Sequence, residues 1–146
     1  IAALVNHAYE VERFFVSGDR VSEKDVRDAM TRGVIYVSDA HDAGLAACVH
    51  VTVDDSRGSF GLLAVHPAWQ GQGLGRRMIR VAEQHALAAG ATMMEIYVVN
   101  VRTDLLQFYG RLGYHATGTA SYVDRPIIQP VHFVVMEKNL PAKSRE

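Results

Sequence analysis

The sequence predicts an α/β domain of the α+β kind, with a mixed, mostly antiparallel central sheet flanked by helices. Three features lead there. Three strand patterns follow one another between residues 34 and 65, which favours antiparallel pairing. Two later strand–helix–strand units argue for some parallel pairing. Between them a glycine-rich turn, HPAWQGQGLGRR (His66 to Arg77), joins a strand to an amphipathic helix.

Each element has its own signal. Ile1, Leu4, Val5 and Ala8 have helical spacing, so residues 1–12 read as a helix; no start signal precedes them, and the sequence reads as entering mid-helix. Ser22 with Asp25 forms a capping-box pattern before Val26, Ala29 and Met30, a short helix stopping near Gly33. Val34 to Ser38, Leu45 to Val53 and Ser59 to Val65 read as strands, the last two separated by the turn DDSRG and the third stopped by Pro67. A helix follows from about Gly73 to Ala89, with Leu74, Met78, Val81, Ala82, Ala86 and Ala89 as its apolar stripe and Gly90 as its stop. Met93 to Val99 is apolar on both faces except at Glu95, the pattern of an interior strand. Asp104 and Gln107 can cap a short helix running to Leu112. His115 to Ala120 and Val131 to Lys138 close the list of strands. The reading is one domain over residues 1–140 and a polar tail over 141–146.

Composition narrows the function classes. The 146 residues carry 15 Lys+Arg against 16 Asp+Glu, so no global basic field exists to gather nucleic acid. No apolar run reaches the ~18 residues of a membrane span, and no signal peptide is visible. The expectation is a cytoplasmic protein, monomer or homodimer, without nucleic-acid or membrane partner. The single cysteine, Cys48, excludes an internal disulfide, and its apolar neighbours mark it as a buried thiol rather than a nucleophile. No pair of histidines has metal-ligand spacing, so no metal is expected.

The glycine turn predicts a local anion site. Gly71, Gly73 and Gly75 let a ligand approach the backbone, and the N–H groups of Gln70 to Gly75 lie at the positive end of the following helix. Arg76, Arg77 and Arg80 sit where the helix dipole disfavours cations by roughly 0.3–1 kcal/mol each; a bound anion reverses that sign. A Walker loop is excluded because Arg76-Arg77 stands where Lys-Ser/Thr is required. A dinucleotide fingerprint lacks its third glycine, which is Arg76 here.

Gln70-x-x-Gly73-x-Gly75, placed after GLLAV and before an amphipathic helix, resembles the acetyl-CoA turn of the GNAT N-acetyltransferase superfamily. LLQFYGRLGY, Leu105 to Tyr114, is similar to the family's downstream helix and Gly-aromatic pair, and the order of elements matches over nearly the whole chain. One departure is the strand with which the family usually opens, which is not found here. The resemblance implies an acetyl-CoA-dependent enzyme that acetylates a small-molecule or peptide amine by direct transfer. It implies that the turn Gln70, Gly71, Gln72, Gly73, Leu74, Gly75 with Arg76 takes the pyrophosphate, that Leu63, Ala64 and Val65 pair with the pantetheine arm, and that Asn100 contacts the cofactor. It further implies Tyr109 as general acid, whose alternative is a core aromatic beside Phe108. The strand before the turn lacks the usual glutamate, so Glu95 is the best substitute base; its alternative is a structural carboxylate paired with an arginine, and a water chain with no dedicated base is the other route. His66 and His132 also lie near strand ends facing the presumed cleft, where a lone histidine is more often a structural hydrogen-bonder. The acceptor is expected between residues 10–20 and 121–130, with Phe14, Phe15 and Tyr122 as walls and Glu12, Asp19, Asp124 and Arg125 as charges. A non-catalytic acyl-CoA sensor, motivated by the missing carboxylate, and a nucleotide-binding enzyme are the competing readings.

Overall fold

The structure is a computed structural model and describes residues 1–14, 16, 18–40, 44–123 and 126–141. In chain order it contains α1 (Ala2–Ala8), a 3₁₀ turn (Glu10–Phe14), α2 (Glu23–Arg32), β1 (Val34–Asp39), β2 (Leu45–Asp54), β3 (Arg57–Val65) and a second 3₁₀ turn (Pro67–Trp69). Then come α3 (Leu74–Ala88), β4 (Met93–Val99), α4 (Thr103–Arg111), β5 (His115–Ser121) and β6 (His132–Asn139). The mixed α/β architecture read from the sequence is the one observed. The six strands form one sheet in the order β1-β2-β3-β4-β6-β5. Every neighbouring pair is antiparallel except β3 and β4.

Two layers of apolar side chains hold the sheet. On one face α3 buries Met78, Ile79, Ala82 and Ala86 against Val49, Val51, Phe60, Met94, Ile96 and Val98. On the other, Leu4 and Val5 of α1 and Val26 and Ala29 of α2 pack on Cys48, Leu62 and Ala64. Each fully buried aliphatic side chain contributes about 1.5–3 kcal/mol. The stripe expected on α3 is shifted: Ile79 is buried, whereas Ala89 lies past the helix end and is exposed.

The capping box is present. Asp25 N–H donates to Ser22 Oγ at 3.1 Å, and Ser22 N–H donates to Asp25 Oδ2 at 2.8 Å. Two helix expectations need correction. The first helix ends at Ala8; the chain then tightens, Glu12 N–H donating to Tyr9 O, and the change of period turns Glu12 inward and Val11 outward. Asp104 does not cap α4: the cap position is Arg102, and Asp104 instead takes the Arg102 guanidinium through two contacts of 3.1 Å.

The sheet is parted in the middle. Among the described residues β3 and β4 pair only at Arg57–Met93 and Gly58–Met94, so the edge of β3 facing β4 has no strand partner there beyond Gly58. On its other side β3 carries a bulge: Cys48 pairs with Ala64 but His50 pairs with Gly61, so β3 holds one extra residue. Leu62 absorbs it at φ 50°, a left-handed conformation that costs a non-glycine residue roughly 1–3 kcal/mol. The extra residue swaps faces: Phe60 points to the α3 layer, while Leu62 and Ala64 point to the α1/α2 layer.

Candidate active site

The turn between β3 and α3 is built for backbone exposure. His66 Nδ1 accepts from Ala68 N–H at 3.1 Å and starts the 3₁₀ turn, a structural role. The Gln70 side-chain amide donates to Val65 O at 3.1 Å and ties the turn to β3. Gly71 and Gly73 take φ of 78° and 80°, and a Cβ at either would meet nothing within 4 Å. Glycine is thus required by conformation, and the space in front of it is open. Gly73 caps α3 without a side-chain acceptor. Arg77 N–H donates to Gly73 O, and the N–H groups of Leu74, Gly75 and Arg76 before it have no partner among the described residues. These donors and the helix dipole suit a phosphate.

The turn forms one end of a groove of about 590 Å³. Its walls include Leu63, Ala64 and Val65 of β3, then Gln70, Gly71, Gly73, Leu74, Gly75 and Arg76. Tyr9, Trp69, Arg102, Leu105, Phe108 and Tyr109 complete it. Where β3 and β4 part, the groove narrows into a throat of about 80 Å³. Leu63, Leu105, Tyr9 and Tyr109 belong to both spaces. The throat opens on the α1/α2 side of the sheet into a basin of about 430 Å³, with Arg20, Phe60, Gly61, Tyr97 and Phe133 lining both.

Tyr109 stands at the junction of groove and throat. Its ring packs against Phe60, Phe108 and Tyr114, with centroids 5.9, 5.4 and 6.0 Å away, and the residue is 7% exposed. Among the described residues its hydroxyl has no partner, yet no fully buried side-chain oxygen is left unpartnered. The hydroxyl therefore meets the open space while the ring is core. Burial raises its pKa far above the usual phenol value, so it stays protonated and able to donate. Tyr9, on both walls, is pushed up to about 12, again chiefly by burial. Glu12 lies on the throat wall, 3% exposed, 2.9 Å from Arg102, which Asp104 also holds. A buried carboxylate in this position is neutralised by its arginine.

Several expected residues are placed elsewhere. Glu95 is an ion-pair partner of Arg57, accepts from Tyr97 Oη at 2.8 Å, and lines neither groove nor throat. Its lone charge in the strand pattern reflects a cluster with Arg57 and Glu137, the structural alternative. Asn100 Oδ1 accepts from His132 N–H at 3.0 Å and Asn100 N–H donates to His132 O, so it joins β4 to β6 rather than reaching the groove. Gln72, Arg77 and Arg80 are exposed and absent from the groove walls. Tyr122 and Glu12 do line the throat, on the two segments expected to flank the acceptor. Phe15, Asp124 and Arg125 lie outside the described residues, as does the side chain of Phe14. Cys48 is buried, its thiol pushed up to about 11 by burial, and it donates to Leu62 O at the bulge. Tyr9, Trp69 and Arg102 carry no sequence signal for their place in the groove; proximity across the fold brings them there.

Among the described residues no group of three His, Cys, Asp or Glu side chains is arranged to hold a metal ion, and no helix is long and apolar enough to cross a membrane. The family model described as Acetyltransferase (GNAT) family matches residues 4–114. No curated protein matches the chain. Solved structures do. A GNAT family acetyltransferase from Elizabethkingia anophelis with acetyl-CoA bound is 16% identical, aligned over 82% of this chain and 84% of its own, with a TM-score of 0.69. The ribosomal-protein-S18-alanine N-acetyltransferase from Escherichia coli is 18% identical over 97% of this chain and 90% of its own, at 0.68. Nourseothricin acetyltransferase is 24% identical over 75% of this chain; the match spans 66% of that protein's chain, at 0.68. At these identities the likeness is one of fold.

Proposed function

This chain belongs to the acetyltransferase (GNAT) family, with the general acetyl-CoA-dependent acyltransferase activity that membership carries, and from that premise we propose that it acetylates a primary amine with Tyr109 as the proton donor. The observation that carries this reading is the continuous path from the glycine turn, past the Tyr109 hydroxyl, to the basin on the other face of the sheet.

The groove fits acetyl-CoA on its own features. Unpartnered N–H groups of Leu74, Gly75 and Arg76, with open space at Gly71 and Gly73, suit the pyrophosphate. The unpaired edge of β3 along Leu63 to Val65 suits an extended amide-bearing arm. Acetyl-CoA supplies the acetyl group as an activated thioester. The chain's residues do the rest. A backbone N–H near Ala64 or Val65 stabilises negative charge developing on the carbonyl oxygen. The Tyr109 hydroxyl gives its proton to the departing sulfur as the C–S bond breaks and the C–N bond forms. No carboxylate of β3 or β4 lines the throat among the described residues, and Glu12 is held by Arg102. The amine's proton therefore leaves to water in the basin.

The test is calorimetric titration with acetyl-CoA, followed by thiol release across an amine panel. Binding with turnover is expected. Tight binding without turnover on any amine would favour the sensor reading, and no binding at millimolar acetyl-CoA would sink both.

A further inference from the structure

Resting on the transferase reading, the geometry points to Tyr9 as a second catalytic phenol: its hydroxyl donates to the acetyl carbonyl oxygen, while Tyr109 serves the sulfur. Tyr9 closes α1, its N–H donating to Val5 O at 3.0 Å and its O accepting from Glu12 N–H at 3.0 Å. The backbone is thus tied on both sides of the residue. The ring packs on the layer that holds Leu4, Val5, Leu62 and Ala64, and the Arg20 guanidinium covers it at 5.5 Å from the centroid. The hydroxyl, in contrast, makes no hydrogen bond among the described residues, yet no fully buried side-chain oxygen is left unpartnered. It therefore faces open space from a ring that cannot easily turn away, which is how a preorganised donor is built.

That space is the junction of groove and throat. Tyr9 lines both and is absent from the described lining of the basin, so it meets the reactive end of the cofactor and not the body of the acceptor. The two phenols come from opposite layers: Tyr109 packs with Phe60 and the α3 layer, Tyr9 with the α1/α2 layer. After burial, Tyr9 is the largest influence on the Tyr109 phenol, which puts each within the other's field. A thioester has its oxygen and its sulfur on different sides of the carbonyl carbon, so donors entering from opposite faces of the sheet suit one each. Tyr9 takes the oxygen because it packs with Leu62 and Ala64, beside the β3 backbone N–H that serves the same charge. As the nitrogen lone pair forms the C–N bond, the carbonyl π pair moves onto oxygen, where the Tyr9 O–H and the β3 N–H both donate. The pair returns as the C–S bond breaks, and sulfur takes the Tyr109 proton. Tyr9 keeps its own proton throughout; burial pushes its pKa up to about 12, which holds that proton at neutral pH.

The experiment binds acetyl-CoA carrying ¹³C at the acetyl carbonyl to wild type, Tyr9→Phe and Tyr109→Phe, and reads the carbonyl resonance, with kcat on the best amine of the panel and the melting temperature alongside. A hydrogen bond to a carbonyl oxygen moves that resonance downfield. The expected result is a downfield shift in wild type that shrinks in Tyr9→Phe and persists in Tyr109→Phe. Tyr9→Phe should also lower kcat by roughly 10²–10³-fold, the range for loss of one oxyanion donor. Its acetyl-CoA affinity should fall by no more than about 10-fold, the worth of one neutral hydrogen bond. Its melting temperature should hold, because the hydroxyl bonds to nothing in the fold; an unfolded Tyr9→Phe would show otherwise and overturn the assignment. An unchanged resonance in Tyr9→Phe, or a kcat like that of wild type, overturns the role of Tyr9 while leaving an amine acetyltransferase. A shift lost in Tyr109→Phe instead gives the carbonyl to Tyr109 and also overturns it. Silence of wild type on every amine despite acetyl-CoA binding overturns the transferase reading and this one together.

Discussion

The groove at the start of α3 and the basin across the throat are built from different parts of the chain. The groove presents backbone: unpaired N–H groups at Leu74 to Arg76, two glycines at positive φ, and an open strand edge. These come from one stretch of about a dozen residues. The basin presents side chains, drawn from the segment before α2, from β2, β3, β4 and β6, and from the end of β5. A backbone site is tied to a local pattern and serves a ligand part common to many enzymes. A side-chain site can be rewritten one residue at a time, which is where selectivity is adjusted. Tyr109 stands between the two and belongs to the chemistry common to both.

The sharpest break in that comparison is at the junction. Tyr109→Phe should lower kcat by roughly 10²–10⁴-fold, as for loss of a positioned general acid, with acetyl-CoA affinity nearly unchanged because the ring stays. Its raised pKa also means that the rate of wild type should climb with pH as the amine deprotonates, with no loss of the acid until above the ordinary tyrosine value of ~10. A fall in rate well below that pH, absent from Tyr109→Phe, would contradict the protonated-phenol assignment. Single-turnover measurements separate chemistry from product release.

A smaller effect sharpens the edge of the groove. Arg76 lines it and Arg80 does not. Arg76→Gln should weaken acetyl-CoA binding by roughly 3- to 10-fold at low salt and less at high salt, while Arg80→Gln should change little. Equal losses from the two variants would show that the anion samples the whole exposed face of α3.

The smallest effect is expected at Glu95. Because its carboxylate serves Arg57 and Tyr97, Glu95→Gln should leave kcat within about 2-fold and act on melting temperature instead. A loss of kcat like that of a general base would return Glu95 to the chemistry.

The same contrast explains what was legible in the sequence. Regular elements showed through because period and caps are local: Met93 to Val99 was read with its observed bounds, and Ser22 with Asp25 forms the capping box. The glycine turn was legible because its residue types are forced by backbone conformation. Three things were not. The bulge at Leu62 leaves no mark, since a leucine stands at a position whose φ favours glycine. Glu95 looked functional because a lone carboxylate among apolar residues reads as buried; its partners Arg57 and Glu137 are 38 and 42 positions away and meet it only in the folded sheet. Asp104 looked like a cap because the pattern does not reveal the competing claim of Arg102. The basin joins Arg20, Ser59, Tyr97 and Phe133 with no spacing rule among them.

The central claim is that the backbone at the start of α3 holds the phosphates of acetyl-CoA. Titrating acetyl-CoA into wild type and Gly73→Asp by calorimetry tests it most directly. A Cβ at Gly73 enters open space, so the fold should survive with a cost of roughly 1–2 kcal/mol for the left-handed conformation, checked by the melting temperature. The new carboxylate would stand in the phosphate position, and affinity should fall by more than about 100-fold. A folded Gly73→Asp that binds acetyl-CoA as tightly as wild type would contradict the account.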